Sequence, residues 1–434
     1  MSEFFVGMMG IVALFVLLAF RMPISLVMAL VGFVGFSVLT SPKAALSMVA
    51  NEIFANFSSA TLSVIIMFVW MGFLAYHSGI GANLYSFAYK LMGHLPGGLA
   101  IATQGACAVF SAICGSNTAT AATIGAIALP EMRKYGYNDS VATAGIAAGG
   151  VLGVLLPPSV ILLLYGAATE QSIGKLFIAG IIPGIVLTLL YMLVIYILAV
   201  RNPEIAPPGS KADWTERLAA LKGGLIEVVI VFCLSIGGLF AGWFTPTEAG
   251  AVGAGGVLAV TVLRGKLKWR DLERSLVDTT RTTAMIMLLV AGAVIFGRFM
   301  AVSRVPFEFA GWAGSLSWPP FAVMIIILII YFILGLFIDA LALVLLTIPI
   351  FYPVVVNMLG YDPIWFGVMM VMVVAMGVIT PPVGMNVYVI KGVAPDIPLE
   401  TIFKGIWPFL LAIIACILLL MFFPSLATFL PSLM

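Results

Sequence analysis

The sequence predicts an all-α, polytopic membrane protein made of two inverted-topology repeats, each with a re-entrant helical hairpin and a broken helix. Three observations carry that expectation. Hydrophobic residues make up 63% and charged residues 9% of the 434 positions. Soluble domains are about 25% charged, so most of this chain must lie in lipid or in protein buried within it. Second, Gly153-Val-Leu-Leu-Pro157-Pro158 returns 224 positions later as Gly377-Val-Ile-Thr-Pro381-Pro382, and Gly136-Tyr137 returns as Gly360-Tyr361 at the same shift. Third, Arg21-Met-Pro23-Ile before an apolar run is answered, one residue out of step, by Phe244-Thr-Pro246-Thr. Every backbone polar group in lipid needs a partner, and abundant Leu, Ala, Ile and Val favour helices over the alternation of a barrel.

The elements follow in order. Spans are expected at 4–20, 23–40 and 60–77, then an interfacial segment at 81–93. The first is read as a retained span, because Glu3 precedes its apolar run and no basic segment does. Short helices at 96–114 and 117–131 come next, then a span across 139–170 interrupted at Pro157-Pro158, and a span at 175–200. Residues 1–200 form the first repeat. Residues 201–222, with Arg-Asn-Pro-Glu and then Pro-Pro-Gly-Ser-Lys-Ala-Asp, read as a soluble linker. The second repeat, 223–434, retraces the pattern: 223–242, 246–263, a charged amphipathic stretch at 264–281, 282–302 and an interfacial piece at 304–314. Short helices at 318–336 and 340–357, a broken span across 363–395 and a last span at 401–423 complete it.

Lys and Arg should be in excess in cytoplasmic loops. With the N-terminus outside, only Lys43, Lys175 and Arg304 fall outside and Arg298 lies near or in a span, leaving 16 of the 20 basic residues inside. The opposite orientation would expose the basic clusters. The same residues argue for inversion. Segment 41–59 carries Lys43 alone, whereas its counterpart 264–281 carries six basic residues. Matching segments on opposite faces require an axis in the membrane plane. Each hairpin must then enter and leave on one side, and arms of roughly 16–20 residues, marginal for a full span, suit that.

The first hairpin turns at Gly115-Ser116-Asn117-Thr118. Freed carbonyls plus Ser, Asn and Thr oxygens at mid-membrane make a cage for a monovalent cation, and the next helix's N-terminus offers N–H groups to a carboxylate. A plain N-cap is the competing reading. Pro157 and Pro381 break helices, since proline lacks an N–H and clashes with the preceding turn. Ser159 flanks the first break, and Thr380 and Asn386 the second. A packing kink is the alternative, weakened by the second copy. Asp339, at the turn of the second hairpin after Gly335, should face a cation, a wet cavity or a donor cluster, or else cap a helix. Arg298 suits a solute carboxylate or snorkels to the interface. Glu131, Glu227 and Glu248 lie near helix ends and read as interfacial, and the 264–281 cluster as a helix resting on anionic headgroups.

Much chemistry is not written here. Cys107, Cys114, Cys233 and Cys416 sit in apolar stretches without metal-ligand spacing, and the two histidines, His77 and His94, are far apart. No phosphate-binding glycine loop and no nucleophile–histidine–acid set occurs, so an enzyme is not expected. Neither a cofactor nor a nucleic-acid partner is expected.

At these residues the chain resembles the large, DctM-like membrane subunit of tripartite ATP-independent periplasmic (TRAP) transporters. The motifs are Arg21-Met-Pro-Ile, Gly115-Ser-Asn-Thr-Ala-Thr-Ala, Leu155-Leu-Pro-Pro-Ser, Phe244-Thr-Pro-Thr-Glu248-Ala-Gly and Ile379-Thr-Pro-Pro-Val-Gly, so the likeness spans essentially the whole chain. It implies an elevator-type fold in the bacterial inner membrane and sodium-coupled import of an organic acid. It also implies delivery by a periplasmic solute-binding protein and a separate small four-helix membrane subunit. Its ion sites, carried over, use Ser116, Asn117 and Thr118 with the break at 155–159, and the tip at 335–339 with Gly377, Thr380 and Pro381. Two sodium ions with one monoanion would supply about 5 kcal/mol per 100 mV and tenfold sodium gradient. A stand-alone sodium–dicarboxylate or anion symporter, and a non-transporting subunit of a membrane complex, are the competing functions.

Overall fold

The computed structural model describes residues 2–221, 226–265, 267–315 and 318–434, including all side chains there but those of 227, 310 and 312–315. Lys222, Lys266 and the side chain of Glu227 thus lie outside the described residues.

Among the described residues the chain is helical throughout, without strands. The first half runs α1 (Glu3–Ala19), α2 (Ile24–Leu39), α3 (Pro42–Phe57), α4 (Ser63–His77), α5 (Ile80–Met92), α6 (Gly98–Cys114), α7 (Asn117–Lys134), α8 (Asp139–Val151), α9 (Val160–Thr169), α10 (Ile173–Ala179) and α11 (Ile181–Arg201). A short helix, α12 (Trp214–Ala220), lies within the linker. The second half runs α13 (Ile226–Phe232), α14 (Gly238–Phe240), α15 (Pro246–Leu263), α16 (Trp269–Ser303), α17 (Val305–Ser315), α18 (Pro320–Gly335), α19 (Ala340–Tyr352), α20 (Pro363–Gly377), α21 (Met385–Val393), α22 (Leu399–Phe422) and α23 (Ser425–Thr428).

Local chemistry sets many of these boundaries. Ser41, Ser116, Ser159 and Ser172 each accept the N–H of a first-turn residue, and Asn138 and Asp362 do the same for α8 and α20. Thr245 and Glu248 form a reciprocal capping box ahead of α15, with Pro246 at its first position. Gly136 and Gly360, in φ-positive backbone at 75° and 73°, turn the chain out of each hairpin.

Among the described residues, five helices of at least 18 residues, counting the near-continuous Ile173–Arg201 and Ala340–Met358 as one each, are apolar enough to cross a membrane. Counting the bent pair α4 and α5, which turns through 68°, raises this to six. Large apolar side chains such as Phe4, Met9, Val12, Leu189 and Trp407 face outward. The protein is a multi-pass membrane protein, and lipid takes the place of an outer core. The helices that precede the breaks are buried along most of their length: α8 from Ala142 onward and α20 from Ile364 onward.

One expectation changes. From Trp269 to Ser303 the stretches expected as two segments are joined in one 35-residue helix, α16. Its counterpart in the first half breaks after α3, where Ser58 and Ser63 turn their hydroxyls onto the carbonyls of Phe54 and Ala60 at 2.7 and 2.6 Å. The linker, whose described residues are mostly exposed, is tied by backbone hydrogen bonds to the ends of the first hairpin and the loop before it. Ala206 and Ile205 accept the N–H groups of Gly97 and Asn138 at 3.0 and 2.9 Å, and Gly209 donates to Gly93 at 2.8 Å. Its apolar anchor is Ala206, which is buried.

The halves pack through exchanged partners. α2 lies along α16, and α15 along α4. α7 packs on α21, and α19 on α9.

Candidate functional site

The first tip is made where α6 stops. Gly115 takes φ 61°, which few other residues adopt, and its N–H bonds to Ser111 at 2.9 Å. Ser116 then starts α7 by accepting the N–H of Ala119 at 3.3 Å, and its hydroxyl lies 3.3 Å from that of Thr118. Beneath them Ser111 and Thr120 share a buried contact of 3.3 Å.

The first break docks on this tip backbone to backbone. Beyond α8 a single tight turn (Leu152–Val154) leads into 155–159, where the Pro157-Pro158 bond is cis. A Cβ on Gly153 would stand 2.6 Å from the Ser116 carbonyl oxygen, and one on Gly115 would strike the Pro158 carbonyl. Only hydrogen at these two positions lets the peptide groups meet. Ser159, fully buried, accepts the N–H of Leu162 at 3.2 Å and donates to the Val154 carbonyl.

The second tip repeats the plan with different chemistry. After Gly335, Asp339 caps α19: its Oδ1 accepts from Leu341 at 3.0 Å and Ala342 at 3.5 Å. Gly377 packs against the Gly335 carbonyl, where a Cβ would stand 2.5 Å away. Thr380 donates to Met376 at 2.6 Å, the Pro381-Pro382 bond is cis, and Gly384 turns at φ 56°. Asn386 follows, yet it serves the other half. Its Nδ2 donates to the Ala147 carbonyl at 3.0 Å, and a Cβ on Gly150 would meet both that nitrogen and the Asn117 carbonyl. Its Oδ1 is buried without a partner among the described residues.

Both tips open on one cavity of about 550 Å³. One wall is built from Ser116, Asn117, Thr118 and Asp339 with Val160 and Met385; the facing wall from Phe73 and Tyr76 of α4 and Asp278, Thr282 and Met285 of α16. Neutral oxygens, helix N-termini and two carboxylates line it, and no Lys or Arg does. Of the expected residues, then, Ser116, Asn117, Thr118 and Asp339 come together at the cavity. Pro157, Ser159, Gly335, Gly377, Thr380 and Pro381 do not line it; Gly377 packs on Gly335, and Asn386 ties α21 to α8. Arg298 does not join them. It lines a separate cavity of about 640 Å³ with Glu170 and Gln171, and its Nε donates to Glu52 at 2.7 Å.

Sequence reasoning missed Asp278, whose Oδ2 lies 2.9 Å from Nε2 of His77 at one edge of the cavity. The signal was present: 278, 282, 285 and 286 fall on one helical face. At the base, Arg133 bridges Asp139 and Asp396, joining the loops beneath the two halves, and this hydrogen bond holds the Asp396 carboxyl below its usual range. Among the described residues no cluster of three His, Cys, Asp or Glu could ligate a metal, and the four cysteines are free.

Comparison with known proteins agrees with this architecture. The family model described as "Tripartite ATP-independent periplasmic transporter, DctM component" matches residues 11–426. A C4-dicarboxylate TRAP transporter large permease protein from Pseudomonas aeruginosa is 35% identical over 91% of both chains. A sialic acid TRAP large permease from Vibrio cholerae is 34% identical over 92% of both, and an ectoine/5-hydroxyectoine TRAP large permease from Ruegeria pomeroyi 33% identical over 96% of both. Among solved structures, the Alcanivorax borkumensis YdaH transporter superposes with a TM-score of 0.62 at 17% identity, over 88% of this chain and 89% of that one. Neisseria gonorrhoeae MtrF gives 0.56 at 15% identity, over 87% and 84%. These last two likenesses speak for the fold alone.

Proposed function

The chain belongs to the DctM-component family of tripartite ATP-independent periplasmic transporters as a large permease subunit, and from that premise we propose that it imports an organic acid together with sodium. The observation that carries this reading is the single cavity on which both hairpin tips open. Solute carboxylate meets the hydroxyls of Ser116 and Thr118 and the N-terminus of α7, where the helix dipole favours negative charge. Sodium is held by oxygens around Ser116, Asn117, Thr118, Pro157 and Ser159 at one tip, and around Gly335, Asp339, Gly377, Thr380 and Pro381 at the other. Asp339 supplies the negative charge that a neutral cage lacks. Arg298, paired with Glu52, would meet solute only in the second cavity.

The transport step in this reading is an elevator motion. The tip-bearing wall slides past the wall of α4 and α16, carrying its cargo between faces. Support for two inverted repeats comes from the exchanged packing: a two-fold axis requires that if α2 meets α16, α15 meets α4. The N-terminus is periplasmic and the linker cytoplasmic, in a bacterial inner membrane, as the positive-inside rule favours. The partners are a small four-helix membrane subunit and a periplasmic binding protein that delivers the solute. Named relatives differ in solute, from C4-dicarboxylates to sialic acid to ectoine, so the class is set no more narrowly than organic acid.

The test is uptake of labelled succinate, sialic acid and ectoine into proteoliposomes under an inward sodium gradient. Uptake should require this chain, the small subunit and the binding protein together, and should vanish when potassium replaces sodium. Uptake by this chain alone would favour a stand-alone symporter and end the tripartite reading.

A further inference from the structure

A crevice of about 790 Å³ opens between α16, α17 and the far end of α19. One wall is small: Gly297 and Ala301, one turn apart on α16. The facing wall carries Pro349 and Pro353, also one turn apart. α16 and α19 touch at the floor, where a Cβ on Gly297 would stand 3.4 Å from Cγ of Pro349. Apart from Arg304 and Asn357, every lining residue is Gly, Ala, Pro, Phe or Met. Such walls give water few partners, and the size lies within the range that binding pockets span, roughly 300–1,000 Å³.

Arg304 closes one end. It ends α16 in φ-positive backbone, at 59°, and directly precedes α17. Its exposed guanidinium lies 5.2 Å from the ring centre of Phe307, and it makes no ion pair with any described residue. Phe307 is exposed beside it, and Trp318 and Phe321 are exposed at the start of α18. Exposed aromatic rings at the close of an apolar helix mark the headgroup level of a bilayer. An apolar slot headed by a lone cation at that level matches one class of molecule.

We propose that the crevice holds an acyl chain of a phospholipid whose phosphate is bound by Arg304. The guanidinium offers its donors to phosphate oxygens while the chain lies between Ala301 and Pro353. Because one wall belongs to the second hairpin and the other to α16 and α17, the lipid is a wedge between elements and not part of the general annulus.

Native mass spectrometry of the detergent-purified protein should find a retained phospholipid, lost in Ala301→Phe, which fills the slot. Add-back of chain-spin-labelled phosphatidylglycerol and of the matching diacylglycerol separates headgroup from chain. Arg304→Gln should weaken the phospholipid about tenfold, the scale of one charge-assisted contact, and leave diacylglycerol unchanged. Ala301→Leu, a smaller filler, serves if the phenylalanine variant does not fold, and the two labels compared on the wild-type protein need no variant. The proposal falls if the fillers retain lipid as the wild type does, if Arg304→Gln affects both labels equally, if the wild type binds both alike, or if millimolar succinate displaces the phospholipid.

Discussion

One oxygen of Asp339 accepts the first N–H groups of α19, so charge and cap reside in the same side chain and can be separated. Asparagine caps about as well as aspartate. Asp339→Asn should therefore leave the melting temperature nearly unchanged while sodium-dependent uptake falls at least about tenfold, the effect of losing roughly 1.4 kcal/mol at a cation site. Ser116→Ala should do both kinds of damage: about 1 kcal/mol of stability from the lost cap, seen in thermal unfolding, and weaker solute uptake. A third expectation concerns acid. Asp396 is depressed by Arg133, so its contribution is present above its unfolded pKa and disappears as pH falls through the lower folded value. Thermal unfolding followed downward from pH 6 should show a loss in the acid range that Asp396→Asn lacks. Ser116 and Asp339 were legible in the sequence because polar side chains at an apolar turn are conspicuous. The pairings of Asn386 and Arg298 were not, since their partners, Ala147 and Glu52, lie in the other half of the chain.

Among the elements, the hairpins and breaks were the easiest to read, because glycine and proline restrict the backbone whatever surrounds them. Their docking was not readable. Gly153 looked like one glycine among many, yet it admits the Ser116 carbonyl, as Gly377 admits that of Gly335. Gly153→Ala and Gly377→Ala should each cost about 1–3 kcal/mol through forced separation of tip and break. Cation protection against unfolding should shrink in both, and a variant that kept full sodium-induced stabilisation would show that the tips are not cation sites. The continuity of α16 escaped the sequence for another reason. A charged turn followed by an apolar run suits two helices or one.

For the molecule as a whole, the relation between the halves can be tested directly. Inversion predicts that maleimide reagents confined to one face label Arg133→Cys but not Met358→Cys, or the reverse; labelling of both from one side would dismiss the two-fold relation. Sliding walls predict that a disulfide between Ala122→Cys on α7 and Met285→Cys on α16, which face the same cavity, stops uptake until reduced. The way the linker lies across the base has a separate consequence. Its described bonds to the first hairpin and to α5 end at Ser210, 3.1 Å from Tyr89 of α5, so the amino-terminal fragment carries its own cover. A gene divided between codons 211 and 213 should therefore yield two pieces that find each other when co-expressed. A cut before Ile205 would strip that cover from the hairpin base and leave the pieces apart.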